Sequence, residues 1–236
     1  MNELIQMEEL LSKIDFYQKY PAMKPFIGDN YISEVHKKLL IVGESYYLPN
    51  KVEMHHNADE WYKSNQNRLI NEFEEKNIEN GLEWMSCRQL FALTEWNKKS
   101  GHKFYYEIMC CLKNCLKADC APKKLTSEIA FTNFYQRPAE KEGASMKYYA
   151  KKTDVDYGYS ILTEVINAIT PDLIIITSKH VWDISNKKLK QFVAGRKITL
   201  DFTCHPAGWK YWNSRSYQHG KKKLIDLLSQ EWLKKE

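Results

Sequence analysis

The sequence predicts an α/β fold: a mainly parallel sheet of four strands with helices on both faces, in a three-layer α/β/α arrangement. Residues 39–42 (LLIV) and 173–176 (LIII) are runs of consecutive apolar residues, which suit strands covered on both faces. Four strand-like segments alternate with segments of helical periodicity, an order that favours parallel strands and right-handed crossovers. The 236 residues are within the range of one large domain, so we expect a single domain over residues 1–236.

Composition excludes a disordered or membrane-spanning chain. Hydrophobic residues make up 43% and charged residues 28%, which is typical of a folded, globular protein. Lysines cluster at 187–190, 221–223 and 234–235, so one face could attract polyanions, although solvated helix faces have the same composition. No apolar stretch approaches the roughly 20 residues that span a bilayer, and the first residues are acidic rather than a basic leader. We therefore expect a cytoplasmic protein without a membrane partner.

Four of the six cysteines lie within residues 110–120, but their spacing is not the paired C-x-x-C of zinc sites. Cys111 and Cys115 are four residues apart and would share a helix face, where free cysteines commonly act as small buried hydrophobes. We expect core thiols rather than disulfides or an iron–sulfur cluster, and we predict no metal and no cofactor.

The first half of the chain is predicted to be helical apart from one strand. Helical spacing of apolar residues predicts a helix over residues 3–13. Residues 20–29, with Pro21 and Pro25, are expected to be an irregular approach to the first strand. After that strand, residues of about 60–116 are predicted to be a helical insertion, because a parallel crossover needs only about a dozen residues. The insertion could be a lid, a partner surface or additional core.

The second half alternates strands and helices. The predicted order is a second strand (128–135), a helix (159–169), a third strand (172–177), a helix (178–192), a fourth strand (196–203) and an amphipathic C-terminal helix (221–235). Pro171 ends the first of these helices. The fourth strand alternates apolar and polar residues, which indicates an edge strand.

Polar side chains stand where three predicted strands end. Gly43 permits a sharp backbone exit and Glu44 follows it, Asn133 ends the second strand, and His205 follows the fourth. Because open α/β sheets bind ligands beyond the carboxyl ends of their strands, we expect these three groups along one rim. A carboxamide can recognise a base edge, since it offers a donor and an acceptor together. The alternatives are that Glu44 is a solvated loop carboxylate and that Asn133 caps a turn.

Four segments carry a family resemblance: VGES, TNFYQRP, PDLIIITSKHVW and TCHPAG. In order and placement they resemble the uracil-DNA glycosylase superfamily, from about residue 38 to the C-terminus and excluding the helical insertion. The comparison is with the members that hold an iron–sulfur cluster. Matching residues are Gly43, Glu44, Thr132, Asn133, Arg137, Pro138, His205, Pro206 and Ala207.

The resemblance implies a DNA-repair hydrolase that cleaves the N-glycosidic bond of a flipped uracil or modified base, with DNA as partner. Asn133 would bind the base edge, Glu44 would position water or stabilise the oxocarbenium-like sugar, and His205 would donate a hydrogen bond to the departing base. Substrate-binding residues would be Gly43, Ser45, Tyr46, Tyr47 and Asn133.

The segment after His205 corresponds to the loop that presses into DNA in that family. Trp209 would fill the gap that the flipped base leaves in the DNA double helix, and Lys210 and Arg215 would bind DNA phosphates. The alternative is that Trp209 and Trp212 close the core beneath the last helix.

Two departures from the family pattern matter for the site. Tyr46 and Tyr47 replace the Pro-Gly of the first motif, which predicts a smaller or repurposed pocket. Gln136 and Arg137 occupy the place of a cluster cysteine, so no cluster is expected. The aromatic residue that stacks on the flipped base would be Tyr46, Tyr47 or Trp61.

Two other functional classes stay open. One is a non-catalytic protein that keeps the fold and binds nucleic acid or a nucleotide. The other is a serine hydrolase with Ser45 as nucleophile and His205 as base, because Gly43 to Tyr47 is close to a G-x-S-x-G elbow. Tyr47 occupies the place of the second glycine, where close backbone approach is required, so this class ranks last.

Overall fold

The computed structural model of the chain describes residues 2–92, 103–213 and 220–234, and only the backbone of residues 209 and 210. It is an α/β protein. The strands are β1 (Phe26–Ile27), β2 (Leu39–Gly43), β3 (Ile129–Asn133), β4 (Leu173–Ile176) and β5 (Thr199–Phe202). The helices are α1 (Glu3–Ser12), α2 (Asp15–Lys19), α3 (Ala58–Lys63), α4 (Gln66–Glu75), α5 (Cys87–Ala92), α6 (Lys103–Leu116), α7 (Lys152–Ile169), α8 (Lys179–Val193), α9 (Trp209–Trp212) and α10 (Gly220–Leu227).

The five strands form one sheet in the order β1-β3-β2-β4-β5. β4 pairs in parallel with β2 and with β5, so that Leu173 lies opposite both Leu39 and Thr199. β5 is an edge strand, as its alternating sequence predicted.

The sheet is mixed because β1 pairs with β3 in the opposite sense. Gly28 N–H donates to Ile129 O and Asn30 N–H donates to Ser127 O, each at 2.9 Å, so the donors advance along the chain as the acceptors retreat. The prediction of four strands was therefore wrong by one. β1 has two residues and no apolar run, and it lies in the segment expected to be irregular; its pairing depends on the partner strand.

The chain forms two compact units, each assembled from three segments. The first contains Met1–Phe26, Gly43–Leu90 and Thr132–Ile169; the second contains Ile27–Val42, Phe91–Phe131 and Thr170–Glu236. The chain passes from the second unit to the first at the last residues of β2 and β3. The strand bodies thus belong to the second unit, and the residues that follow them belong to the first.

Two central strands form the core of the second unit. Every residue of β4 is fully buried, as are residues 39–42 of β2, which confirms that their apolar runs are covered on both faces. α8 packs on β4 and β5, and α10 packs on α6. None of the helices in the described ranges is both long enough and apolar enough to cross a membrane.

Trp232, which follows α10, contacts the segment before β2 within the second unit. Lys37 N–H donates to Trp232 O at 2.8 Å, and the His36 ring stacks on the Trp232 ring with centroids 4.5 Å apart. His36 Nε2 lies 3.0 Å from Glu128 Oε2. A buried imidazole, a buried indole and a half-buried carboxylate thereby hold this segment in place.

Aromatic packing forms the core of the first unit. The Tyr20 and Trp61 rings stack with centroids 4.5 Å apart, and Tyr20 OH donates to Trp61 O at 2.8 Å. Trp61 Nε1–H donates to Gln136 O at 2.9 Å. Trp61 lies in the predicted helical insertion, so this part of the insertion contributes core.

Replacing Gly28 tests the β1–β3 pairing. A Cβ at this position would lie 2.2 Å from the Ser127 carbonyl oxygen, a backbone atom that cannot move without breaking the pairing. We expect Gly28→Ala to lower the free energy of unfolding by about 1–3 kcal/mol. Urea unfolding measures this change. Asp29→Ala is the control, because Asp29 is the exposed neighbour, and it should change the free energy of unfolding by less than about 0.5 kcal/mol. Equal midpoints for Gly28→Ala and the wild type would contradict the pairing.

Candidate functional site

Glu44 and Asn133 lie on adjacent segments of the first unit. Phe134 N–H donates to Gly43 O at 3.0 Å, and Tyr135 N–H donates to Glu44 O at 2.9 Å. The backbones that leave β2 and β3 therefore stay hydrogen-bonded beyond the strand ends. Two of the three predicted site residues start neighbouring loops.

The Glu44 carboxylate is held in place by a turn that the sequence did not single out. Ser145 Oγ–H donates to Glu44 Oε1 at 2.6 Å, and Met146 N–H donates to the same oxygen at 2.8 Å. Two donors on one oxygen fix the position of the carboxylate, so Glu44 is not merely a solvated loop residue. Ser145 lies in a polar stretch without a recognisable pattern, and no sequence signal could have identified it.

Asn133 presents a buried carboxamide. The residue is 4% exposed. Close to it in the sequence, Gln136 Oε1 is buried without a partner among the described residues, and so is Ser45 Oγ, which follows Glu44. Buried polar groups without partners cost about 1–3 kcal/mol each and mark places where a ligand or ordered water binds.

The structure ranks the aromatic candidates for stacking on a base. Tyr46 is 4% exposed and its OH donates to Met23 O at 3.2 Å, so its ring lies in the interior of the first unit and not at a binding surface. Trp61 is fully buried as well. Tyr47 is half-buried, and burial together with the Glu44 charge raises its pKa. Of the three, Tyr47 has both an accessible ring and Glu44 as a neighbour.

His205 follows β5 in the second unit. Ala207 N–H donates to His205 Nδ1 at 3.3 Å, which leaves the proton of the neutral ring on Nε2. The ring packs 4.9 Å from the Phe104 ring. His205 can thus donate a hydrogen bond from Nε2, as the predicted role requires. That His205 meets Glu44 and Asn133 at one rim stays a prediction.

The predicted DNA-contacting residues lie at α9 and beyond. Trp209 and Lys210 begin this helix, and Arg215 lies outside the described residues. Trp212 is fully buried, and its Nε1–H donates to Glu107 Oε2 at 3.1 Å. For Trp212 the core interpretation is therefore confirmed.

A buried ion pair underlies the loops of the first unit. Arg137 and Asp154 are both fully buried, and two parallel bonds join them: Nε to Oδ1 at 2.8 Å and Nη2 to Oδ2 at 2.9 Å. Arg137 also donates to His55 O at 2.6 Å and to Tyr149 O at 3.2 Å. One guanidinium thus joins the loop after β2, the turn that holds Glu44 and the start of α7. The Arg-Pro motif contains Arg137, but no sequence pattern indicates Asp154 as its partner.

Within the part of the chain that the structure describes, the cysteines and the acidic residues provide no evident metal centre. In residues 2–92, 103–213 and 220–234, no three or more His, Cys, Asp or Glu side chains are arranged to hold a metal ion. Cys111 is fully buried, as expected for a core thiol, and burial raises its pKa to about 12.

Comparison with known proteins adds no relative: no family model matches this sequence, and no curated protein matches it. Function must therefore be inferred from the residues of this chain.

His55 predicts a pH dependence of stability. Burial, followed by the charges of His56 and Arg137, lowers the pKa of His55 to about 4. Between about pH 6.5 and pH 4 this ring is protonated in the unfolded chain but stays neutral in the folded protein. The free energy of unfolding therefore decreases as the pH is lowered through this window. We expect the wild type to lose about 3 kcal/mol more than His55→Leu between these pH values, measured by urea unfolding. Parallel pH profiles for the two proteins would contradict this.

Removing the charge of Asp154 tests the buried ion pair. Asp154→Asn leaves the Arg137 guanidinium buried beside a neutral amide, and we expect it to lower the free energy of unfolding by about 3 kcal/mol. Asp156→Asn is the matched control two residues further along α7, because its pair with Lys152 is exposed and should contribute less than about 1 kcal/mol. Chemical denaturation of both variants measures the difference. Equal losses would mean that the buried pair has no special role.

Proposed function

We propose that the protein is a glycosylase-like DNA-repair hydrolase, which cleaves the N-glycosidic bond of a flipped uracil or modified base. A single observation carries the proposal: a carboxylate held by two donors and the carboxamide of a buried asparagine start neighbouring loops after β2 and β3. The proposal includes a three-layer α/β/α domain of uracil-DNA glycosylase type and a cytoplasmic setting, as expected from the sequence.

Recognition of the base would fall to Asn133 and Tyr47. The Asn133 amide offers one donor group and one acceptor, which can pair with the edge of a pyrimidine. The half-buried Tyr47 ring would stack on the base face.

Bond cleavage would use Glu44 and His205. As the bond between the base nitrogen and C1′ breaks, its electron pair leaves with the base and positive charge develops on the sugar. The Glu44 carboxylate, fixed by Ser145 and Met146, stabilises that charge and orients the water that attacks C1′. The proton that this water loses goes to the departing base, so that the products are the sugar hydroxyl and the neutral base. His205 Nε2–H donates to the base oxygen on which negative charge accumulates.

A non-catalytic nucleic-acid or nucleotide binder is the alternative, because the same groups could hold a base without cleaving it. The serine hydrolase ranks below both. Ser45 Oγ has no hydrogen-bond partner among the described residues, so no general base is in place to activate it.

Base release from oligonucleotides tests the proposal. Single- and double-stranded oligonucleotides with uracil or other altered bases are incubated with the protein, and abasic sites are then cleaved with alkali. We expect strand breaks with the wild type and a loss of about 10²- to 10⁴-fold in rate for Glu44→Gln. Ser145→Ala, which removes one donor to the carboxylate, should reduce the rate of base release, and the loss of rate should be larger than any change in its unfolding midpoint explains.

The matched control is Glu142→Gln, an exposed carboxylate in the same unit, which should retain the wild-type rate. Strand breaks that persist in Glu44→Gln would remove Glu44 from the mechanism. A wild type that releases no base but binds DNA in a salt-sensitive manner would favour the binder.

A further inference from the structure

We propose that the turn of residues 145–149, which holds Glu44, is also a contact site for unpaired nucleic acid. In this site the Tyr148 ring stacks on a base near the target nucleotide, and Lys147 binds the adjacent phosphate. The position of the target rests on the proposed function. Binding of an unpaired strand does not, and it can be measured separately.

The exposure of Tyr148 is the first observation. Its relative exposure is 76%, more than that of any other large hydrophobic side chain in the described part of the chain. Tyr148 does not pack on the hydrophobic core, since most of its side chain is exposed to solvent. A flat, exposed aromatic ring is the usual platform for an unpaired base.

The backbone around this ring is firmly held. Ser145 Oγ accepts from Lys147 N–H at 3.2 Å, and Met146 O accepts from Tyr149 N–H at 3.0 Å. Met146 is fully buried, and Arg137 donates to Tyr149 O. The turn is therefore anchored on both sides of Tyr148, and little backbone freedom remains to be lost when a base binds.

The turn joins this ring to the predicted catalytic group. Met146 N–H donates to Glu44 Oε1 at 2.8 Å, and Tyr148 is two residues further along the chain. The backbones of residues 146 and 148 are at most about 7 Å apart, to which the Tyr148 side chain adds its own length. A base on Tyr148 would thus be a few nucleotides from one held at Glu44.

Charge favours a nucleic acid as the occupant. Lys147 Nζ lies 5.9 Å from the centroid of the Tyr148 ring, so a cation is next to the stacking surface. Residues 146–152 (MKYYAKK) contain three lysines and no acidic residue. A groove that binds single strands combines basic and aromatic side chains in this way, whereas the centre of a protein interface is depleted in lysine.

Binding of a fluorescein-labelled single-stranded 12-mer that carries 2-aminopurine tests the site. We expect Tyr148→Ala to raise Kd about 5- to 100-fold and to abolish the stacking-dependent change in 2-aminopurine fluorescence. Tyr148→Phe keeps the ring and should bind like the wild type. Lys147→Ala should reduce the slope of log Kd against log salt by about 0.7, the contribution of one phosphate on a single strand.

Trp84→Ala is the matched control, because Trp84 is an exposed aromatic residue elsewhere in the same unit and should not affect binding. A Tyr148→Ala protein that binds like the wild type, or a wild type that does not bind the 12-mer, would overturn the inference. Base release is measured in parallel. If Tyr148→Ala weakens binding while no oligonucleotide loses a base, the contact site is supported and the glycosylase proposal fails. If Tyr148→Ala binds and releases bases like the wild type, the glycosylase proposal is supported and the contact site fails.

Discussion

The paired Arg137 and Asp154 side chains are the interaction on which the rest of the first unit depends. Transferring two charges out of water is costly, and a buried pair of this kind adds little net stability compared with apolar residues of the same volume. What it does provide is geometry. The planar guanidinium binds both carboxylate oxygens and two backbone carbonyls, and these four bonds are compatible with a single arrangement of the surrounding loops.

That geometry reaches the candidate site through the backbone. The Tyr149 carbonyl held by Arg137 closes the same turn whose Ser145 hydroxyl and Met146 amide hold Glu44. The carboxylate is thus fixed by groups that are themselves fixed, which is the usual requirement for a site that acts on a short-lived charge. The turn was missed in the sequence because Ser145 lies 101 residues from Glu44.

The sequence predicted what depends on local pattern. The apolar runs of β2 and β4 identified the buried strands, and alternation identified β5 as an edge. Glu44 and Asn133 were found because strand ends are recognisable and parallel strands align them. β1 was missed, since two residues without an apolar run become a strand only through β3. The sequence also left Tyr46 and Tyr47 equivalent, whereas the Met23 carbonyl draws the first into the interior.

The interleaving of the two units has a consequence for synthesis of the chain. Lys38 N–H bonds to the Asp172 carboxylate at the start of the β2–β4 pair, 134 residues away. At 5–20 residues per second a ribosome needs about 7–27 s to add those residues. During that interval β2 lacks β4, one of its two neighbours in the sheet. An apolar strand that waits for a neighbour is prone to aggregate, so anything that shields β2 in this period favours correct folding of this topology.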